Sequence, residues 1–152
     1  MQARLDAHKA APAAYQALSA LESYVRKSGI DPGLYELIKL RASQINGCAY
    51  CLHMHSRDAR ARGESEDRLH VLAAWRESPL YSERERAVLA WTKALTLISE
   101  THAPDDVYEN LRRHYSETEI VNLSVAVAMI NTWNRLAIGF RMVHPVESAS
   151  AA

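Results

Sequence analysis

Residues 36–55 read ELIKLRASQINGCAYCLHMH, and the rest of the chain is best interpreted outward from this stretch. It contains both cysteines of the chain, Cys48 and Cys51, in the spacing C-x-x-C. His55 follows Cys51 by four residues, and Glu36, the only acidic residue of the stretch, precedes Cys48 by twelve. A thiol pair, an imidazole and a carboxylate are the components of a redox or metal site.

The local pattern predicts two helices separated by a break. Upstream of the cysteines the apolar residues recur near helical spacing: Leu34, Leu37, Ile38 and Ile45. Asp31-Pro32 is typical of a helix start, and Asn46-Gly47 is typical of a helix end. A following helix is expected from about Cys48 to Arg62.

Residues typical of helix starts and ends recur through the rest of the chain, and they predict helices only. Starts or whole helices are indicated at 13–28, Ser65, Ser82, Pro104 and Ser116, the last running to about Val143. No stretch alternates with a period of two between hairpin turns, so no strand is predicted. We expect one all-α domain over residues 1–152, a helical bundle of about six to seven helices with its core at about 13–144. The tail, residues 146–152, is expected to fray.

Composition limits the class of protein. The chain has 152 residues, 48% hydrophobic, with 18 basic and 18 acidic side chains, so no single-sign field favours nucleic acid or a membrane surface. The N-terminus lacks the apolar core of a signal peptide, and the apolar run 123–133 is too short to span a bilayer. We therefore expect a cytoplasmic protein, in which a C-x-x-C pair is catalytic or metal-binding more often than a structural staple.

A helix that begins at Cys48 would place Cys48, Cys51 and His55 on one stripe, with Tyr50 and His53 on other sides. The N–H groups and dipole at a helix start stabilise an anion, which lowers the pKa of a thiol there. His55 is then a candidate base for Cys51. Glu36 can orient the imidazole only if the two helices fold back on each other at Asn46-Gly47.

Two other interpretations of the cysteines remain open at this point. The pair can be two small buried residues without chemistry. Alternatively, Cys48, Cys51, His53 and His55 offer four zinc donors. A closed zinc site usually takes its ligands from two separated segments, and the chain has no second cysteine pair, which disfavours zinc.

The spacing of Glu36, Cys48, Cys51 and His55 within SQINGCAYCLHMHSRDARARGESEDRL resembles the alkylhydroperoxidase D-like, carboxymuconolactone decarboxylase family, in its cysteine-containing branch. The downstream segments AAWRESPLYSERERAVLAWTKALT and INTWNRLAIGFR are also similar to that family. The resemblance covers about Leu34 to Arg141.

The resemblance implies an all-α fold, assembly as a homo-oligomer (trimer or hexamer), and a peroxidase that reduces hydroperoxides through its cysteine pair. Carried over by position, Cys51 is the peroxidatic cysteine, Cys48 the resolving one, and His55 the base, with Glu36 completing a proton relay. It implies no metal, haem or flavin cofactor; an external dithiol of the thioredoxin or lipoyl type regenerates the pair. Tyr50 stands where some peroxidatic relatives have a second histidine, so its phenol is a candidate supporting group.

Two functional alternatives accompany the peroxidase interpretation. One is a lyase like carboxymuconolactone decarboxylase, which would not need two cysteines; the other is a non-enzymatic, redox-sensing oligomer. Polar residues within the most apolar helix are interpreted as structural or inter-subunit: Asn131, Asn134 and Arg135. The three tryptophans are interpreted as core or interface anchors: Trp75, Trp91 and Trp133.

Overall fold

α-Helices make up the regular structure of the chain in a computed structural model that describes residues 2–146. The described residues form nine α-helices and one 3-10 turn (Leu72–Ala74): α1 (Ala7–Ala10), α2 (Pro12–Lys27), α3 (Pro32–Asn46), α4 (Ala49–Ala61), α5 (Glu66–Val71), α6 (Glu83–Thr96), α7 (Ile98–Thr101), α8 (Asp105–Arg112) and α9 (Glu117–Gly139). Seven of them have six or more residues, and no strand occurs between residues 2 and 146. The all-α prediction is confirmed, while the predicted frayed tail lies, except for Val146, outside the described residues.

Helix starts follow the polar signals in the sequence. Four predicted N-cap side chains each accept a backbone N–H from three residues further on: Asp31, Ser65, Ser82 and Ser116. At α6 and α9 the capping box is complete, because Glu85 and Glu119 also accept the N–H of their cap residue. Each such cap stabilises its helix by about 1 kcal/mol.

The structure differs from the prediction at the end of the last helix and in two short segments. α9 ends at Gly139 rather than near Val143, because Arg141 takes a left-handed backbone conformation with φ 54°. The N–H of Met142 then donates to the carbonyl of Ala137 at 2.8 Å, so the chain turns back over the end of α9. α1 and α7, of four residues each, were not predicted, since one turn carries no periodic signal.

α3 lies at the centre of the bundle and packs against α4, α6 and α9. On one side Ile38 belongs to a core cluster with Val88 of α6 and Leu123 of α9, each at most 1% exposed. On another side Leu37 and Leu40 join a second cluster around Trp75. A helix enclosed in this way buries its polar residues as well, and Glu36 and Lys39 are only 2% and 1% exposed.

Within residues 2–146, no helix has both the length and the apolar character needed to cross a lipid bilayer.

Candidate active site

A glycine turn folds α4 back along α3 and so assembles the candidate site. Gly47 has a left-handed backbone with φ 69°, which glycine adopts without strain. The N–H of Cys48 donates to the carbonyl of Ser43 at 3.0 Å and closes the end of α3. A Cβ on Gly47 would meet no neighbour within 4 Å, so the requirement for glycine is the backbone angle and not space.

A cluster of asparagine side chains, two of them buried, fastens this turn to α9. Asn46 Nδ2 donates to Asn134 Oδ1 at 2.8 Å and to Asn131 Oδ1 at 3.0 Å. Asn134 Nδ2 in turn donates to Ser43 Oγ at 3.0 Å, and Arg135 Nη1 donates to Asn131 Oδ1 at 3.0 Å. The polar interruptions of α9 therefore have hydrogen-bond partners, and they hold the turn that precedes the cysteines.

Cys48 and Cys51 are disulfide-bonded, with their Cα atoms 5.4 Å apart and both side chains at most 2% exposed. Cys48 is the N-cap of α4, and its Sγ accepts the N–H of Cys51 at 3.3 Å. The predicted start of a helix at the cysteines is therefore observed. An N-cap position places the Cys48 sulfur where a helix favours negative charge.

The two cysteines line different openings, which differs from the single stripe expected from the sequence. Cys51 and His55 line one opening of about 310 Å³, here called the Cys51 cavity. Cys48 lines a separate opening of about 400 Å³, the Cys48 cleft. The difference arises because Cys48 has an extended backbone, with φ −85° and ψ 93°, and does not belong to the helical stripe.

The folded-back hairpin brings Glu36 to His55, as the sequence predicted for such a turn. His55 Nδ1 lies 3.4 Å from Glu36 Oε2, a little longer than a well-formed hydrogen bond, and 3.8 Å from an oxygen of Asp58. Both His55 and Glu36 are buried, at 4% and 2% exposed. A carboxylate at this position orients the ring so that the other nitrogen is available to an acid or a base.

Lys39 is a site residue that the sequence interpretation missed. Its Nζ donates to Glu36 Oε1 at 2.8 Å and lies 4.3 Å from the centre of the Tyr35 ring, while Arg62 Nε lies 3.6 Å from the same Glu36 oxygen. Burial raises the pKa of Glu36, but the contacts from His55 and Lys39 outweigh it and hold that pKa below its usual value. Burial lowers the pKa of Lys39, and Glu36 opposes that shift only in part. The sequence shows a lysine one turn after Glu36, a spacing that is more typical of a solvated surface pair and so did not mark Lys39 as a site residue.

The Cys51 cavity is mostly apolar, with charged groups at a few points. Its lining residues are Tyr15, Glu22, Arg26, Lys39, Tyr50, Cys51, Met54, His55, Trp133, Ala137 and Met142. Glu22 binds Arg26 at 3.2 Å and accepts the indole N–H of Trp133 at 3.4 Å. Trp133 thus borders the cavity, whereas Trp75 and Trp91 are buried in the cores.

Tyr50 and His53 lie on either side of the face of α4 that carries Cys51 and His55. Tyr50 is partly buried, packs against the two cysteines and borders both openings. The ring of His53 stacks on His144 with centroids 4.4 Å apart. His53 therefore packs against His144, whereas a zinc site would need it beside the sulfurs. The two cysteine sulfurs of the proposed zinc ligands are also bonded to each other.

Glu36, His55 and Asp58 place one donor atom each within 4.8 Å of one another, an arrangement that can hold a metal ion in some proteins. Here Lys39 and Arg62 set two positive charges at 2.8 and 3.6 Å from Glu36. Those charges oppose a divalent cation at short range. The arrangement suits proton transfer better than cation binding.

Comparison with known proteins agrees with this architecture. A sequence model of the carboxymuconolactone decarboxylase family matches residues 12–94. The uncharacterised protein YdfG of Bacillus subtilis is 41% identical over 138 residues, covering 91% of this chain and 94% of YdfG. A crystal structure from Agrobacterium tumefaciens, of a protein of unknown function named as a candidate AhpD antioxidant defence protein, superposes with a TM-score of 0.94. It is 53% identical, and the match covers 96% of this chain and all (100%) of that one.

An uncharacterised peroxidase-related protein from Silicibacter sp. TM1040 has the same fold at 24% identity, with a TM-score of 0.77 over 89% of this chain and 72% of that one. This chain belongs to the carboxymuconolactone decarboxylase family, and it has an AhpD-like fold with a close-spaced cysteine pair.

Proposed function

We propose that this protein is a thiol peroxidase that reduces hydroperoxides at Cys51 and stores the oxidising equivalents in the Cys48–Cys51 disulfide. The observation that carries the proposal is the Cys51 cavity, in which the disulfide-bonded Cys51 and His55 line one opening and Glu36 Oε2 lies 3.4 Å from His55 Nδ1. The AhpD-like and peroxidase-related relatives agree with this class of reaction.

In the proposed cycle the Cys51 thiolate attacks one oxygen of the hydroperoxide. The O–O bond breaks, the alcohol or water leaves with a proton from His55, and Cys51 becomes a sulfenic acid. The sulfur of Cys48 then attacks Cys51, water is released and the disulfide forms. The observed Cα separation of 5.4 Å allows that bond without movement of the backbone.

Each remaining site residue has a stated task in this proposal. Glu36 holds the His55 ring and balances the charge of the imidazolium, and Lys39 keeps Glu36 ionised. Tyr50 borders the sulfur as a hydroxyl donor. No cofactor takes part, and an external dithiol regenerates the two thiols.

The proposal includes a homo-oligomer in a compartment that keeps thiols reduced, such as the cytoplasm. It is supported by exposed apolar side chains on α2 and α9, which a second copy would cover: Leu21 (42% exposed), Tyr24 (55%) and Val121 (60%). Light scattering of the purified protein measures the assembly; a monodisperse monomer at micromolar concentration overturns this part.

Steady-state reduction of an organic hydroperoxide, coupled to a dithiol, tests the reaction itself. Cys51→Ser is expected to abolish turnover. Cys48→Ser is expected to stop after one equivalent, with a sulfenic acid on Cys51 that a dimedone probe traps and mass spectrometry locates. Full turnover by Cys51→Ser contradicts the assignment of the attacking sulfur. So does a sulfenic acid that dimedone traps on Cys48 in the Cys51→Ser protein.

A further inference from the structure

The disulfide stands between two openings with different charges. The Cys51 cavity contains both signs: Glu22 as well as Arg26 and Lys39 line it. The Cys48 cleft is lined by two arginines, Arg4 and Arg141, and by no acidic residue among those described. One sulfur therefore borders a mixed environment and the other a basic one.

A wall of three residues separates the openings. Tyr50, Ala137 and Met142 line both sides, and they pack against the two cysteines. Cys51 does not border the cleft, and Cys48 does not border the cavity. A molecule in the cleft therefore lies beside Cys48, whose side chain is 1% exposed, while the Cys51 side remains available to His55.

Both basic residues of the cleft lie at the end of α9, and Arg4 is bonded to it. The backbone N–H of Arg4 donates to the carbonyl of Phe140 at 3.0 Å, and Arg4 Nη1 donates to the carbonyl of Gly139 at 2.8 Å. Arg141 follows at once, in the left-handed turn that ends the helix. Both arginines thus belong to the segment that lines the cleft together with Cys48.

We propose that the Cys48 cleft is the entry for the reductant, and that it selects a thiol carrying negative charge beside its sulfur. This inference rests on the proposed function for its biological purpose. Its physical basis is general, because a thiolate is the attacking species in disulfide exchange and two neighbouring cations raise its local concentration.

In the proposed exchange, the reductant acts from the Cys48 cleft and His55 acts from the Cys51 cavity. The reductant thiolate attacks Cys48 Sγ, the bond between the two sulfurs breaks, and its electron pair leaves on Cys51, which takes a proton from His55. The second thiolate of the reductant then attacks the reductant's own sulfur in the mixed disulfide. Cys48 is released as a thiolate and the reductant leaves as a disulfide, so two electrons have passed to the cysteine pair.

The charge preference is measured on the oxidised protein without any peroxide, so a failed peroxidase assay does not affect it. Stopped-flow rates of disulfide opening are compared for 2-mercaptoethanesulfonate, an anionic thiol, and cysteamine, a cationic one, at equal thiolate concentration and low salt. The double variant Arg4→Gln/Arg141→Gln is expected to lower the anionic-to-cationic rate ratio roughly three- to tenfold, and high salt is expected to have a similar effect.

Arg26→Gln is the control, because it removes one positive charge from the Cys51 cavity instead of from the cleft. It is expected to leave the ratio unchanged. An unchanged ratio in the double variant, or a larger effect from Arg26→Gln, overturns the proposal.

The attacked sulfur is identified separately. Reaction with 2-mercaptoethanesulfonate is quenched early with N-ethylmaleimide, and the tryptic peptide of residues 42–57, which holds both cysteines, is fragmented by mass spectrometry. The proposal expects the sulfonate on Cys48 and the maleimide on Cys51; the reverse distribution overturns it.

Discussion

Lys39 and Glu36 form an ion pair inside the protein, one turn apart on α3, with Nζ 2.8 Å from Oε1 and both side chains 2% exposed. Since water does not screen this pair, each partner depends on the other for its charged state. The pair also divides the Glu36 carboxylate: one oxygen faces Lys39 and Arg62, and the other faces His55. Lys39 is thus part of the machinery that orients the histidine.

A double-mutant cycle measures this coupling. Lys39→Met and Glu36→Gln are each expected to lower the free energy of unfolding by about 3 kcal/mol, because each leaves a charge buried without its main partner. The double variant is expected to cost clearly less than the sum of the two. Urea denaturation followed by circular dichroism gives the values, and additive losses would show that the two residues act independently.

The pH dependence of stability follows from the direction of the Glu36 shift. Its pKa in the folded protein lies below the usual glutamate value of 4.5, so the unfolded chain binds the proton more tightly. The ionised carboxylate therefore stabilises the fold at pH above 4.5, and this contribution is lost as the pH falls through the lower, folded value. The stability difference between wild type and Glu36→Gln is expected to shrink over that acidic range.

Glu77→Gln serves as the control for this pH series, since Glu77 is exposed. Its stability difference from wild type is expected to stay small at every pH. A Glu36→Gln difference that is constant from neutral to acidic pH contradicts the assignment of an ionised, stabilised carboxylate.

His55→Ala is expected to raise the pKa of the Cys51 thiol, because it removes the imidazole that takes the thiol proton and then pairs with the thiolate. The measurement is the rate of iodoacetamide alkylation of the Cys48→Ser protein, with and without the histidine change, as a function of pH. His53→Ala is a close control: His53 is two residues away but stacks on His144. Its profile is expected to match the parent protein, and equal shifts from both variants would assign the effect to helix α4 as a whole.

Local signals in the sequence predicted the helix starts because a cap is a property of four consecutive residues, as at Ser82 and Ser116. The contact between Glu36 and His55 could also be predicted, since Asn46-Gly47 is a strong turn signal. The role of Lys39 could not be predicted, because a glutamate and a lysine three residues apart usually form a solvated surface pair. Its burial depends on the packing of α4, α6 and α9 around α3, and no local pattern reports that.

The separation of the two sulfurs could not be predicted for a related reason. Helical periodicity places Cys48 on the stripe of Cys51 and His55 only if Cys48 is itself helical. The residue is an N-cap with an extended backbone, and its direction is set by the Gly47 turn and by the end of α9. Spacing alone therefore predicted which residues form the site, but not that Cys48 and Cys51 line different openings.

Among the polar residues of α9, Asn134 is expected to cause the largest loss of stability when it is replaced by alanine. It is wholly buried, at 0% exposed, and it joins Asn46 to Ser43 at the turn before the cysteines. Asn134→Ala would leave both partners without one hydrogen bond and open a small void, so a loss of about 2–4 kcal/mol is expected. Thr132→Ala, on the same helix, removes only a bond to the carbonyl of Ala128 and is expected to cost under about 1 kcal/mol.

The redox consequence separates a general packing defect from a role in the site. Because the Asn46–Asn134 contact holds the turn that positions Cys48, loosening it should make the cysteine pair harder to close, and so raise its reduction potential at a temperature where the variant is still folded. Equilibration with glutathione redox buffers measures the potential for wild type, Asn134→Ala and Thr132→Ala. If Asn134→Ala loses stability but keeps the wild-type potential, the amide cluster supports the bundle and does not tune the disulfide.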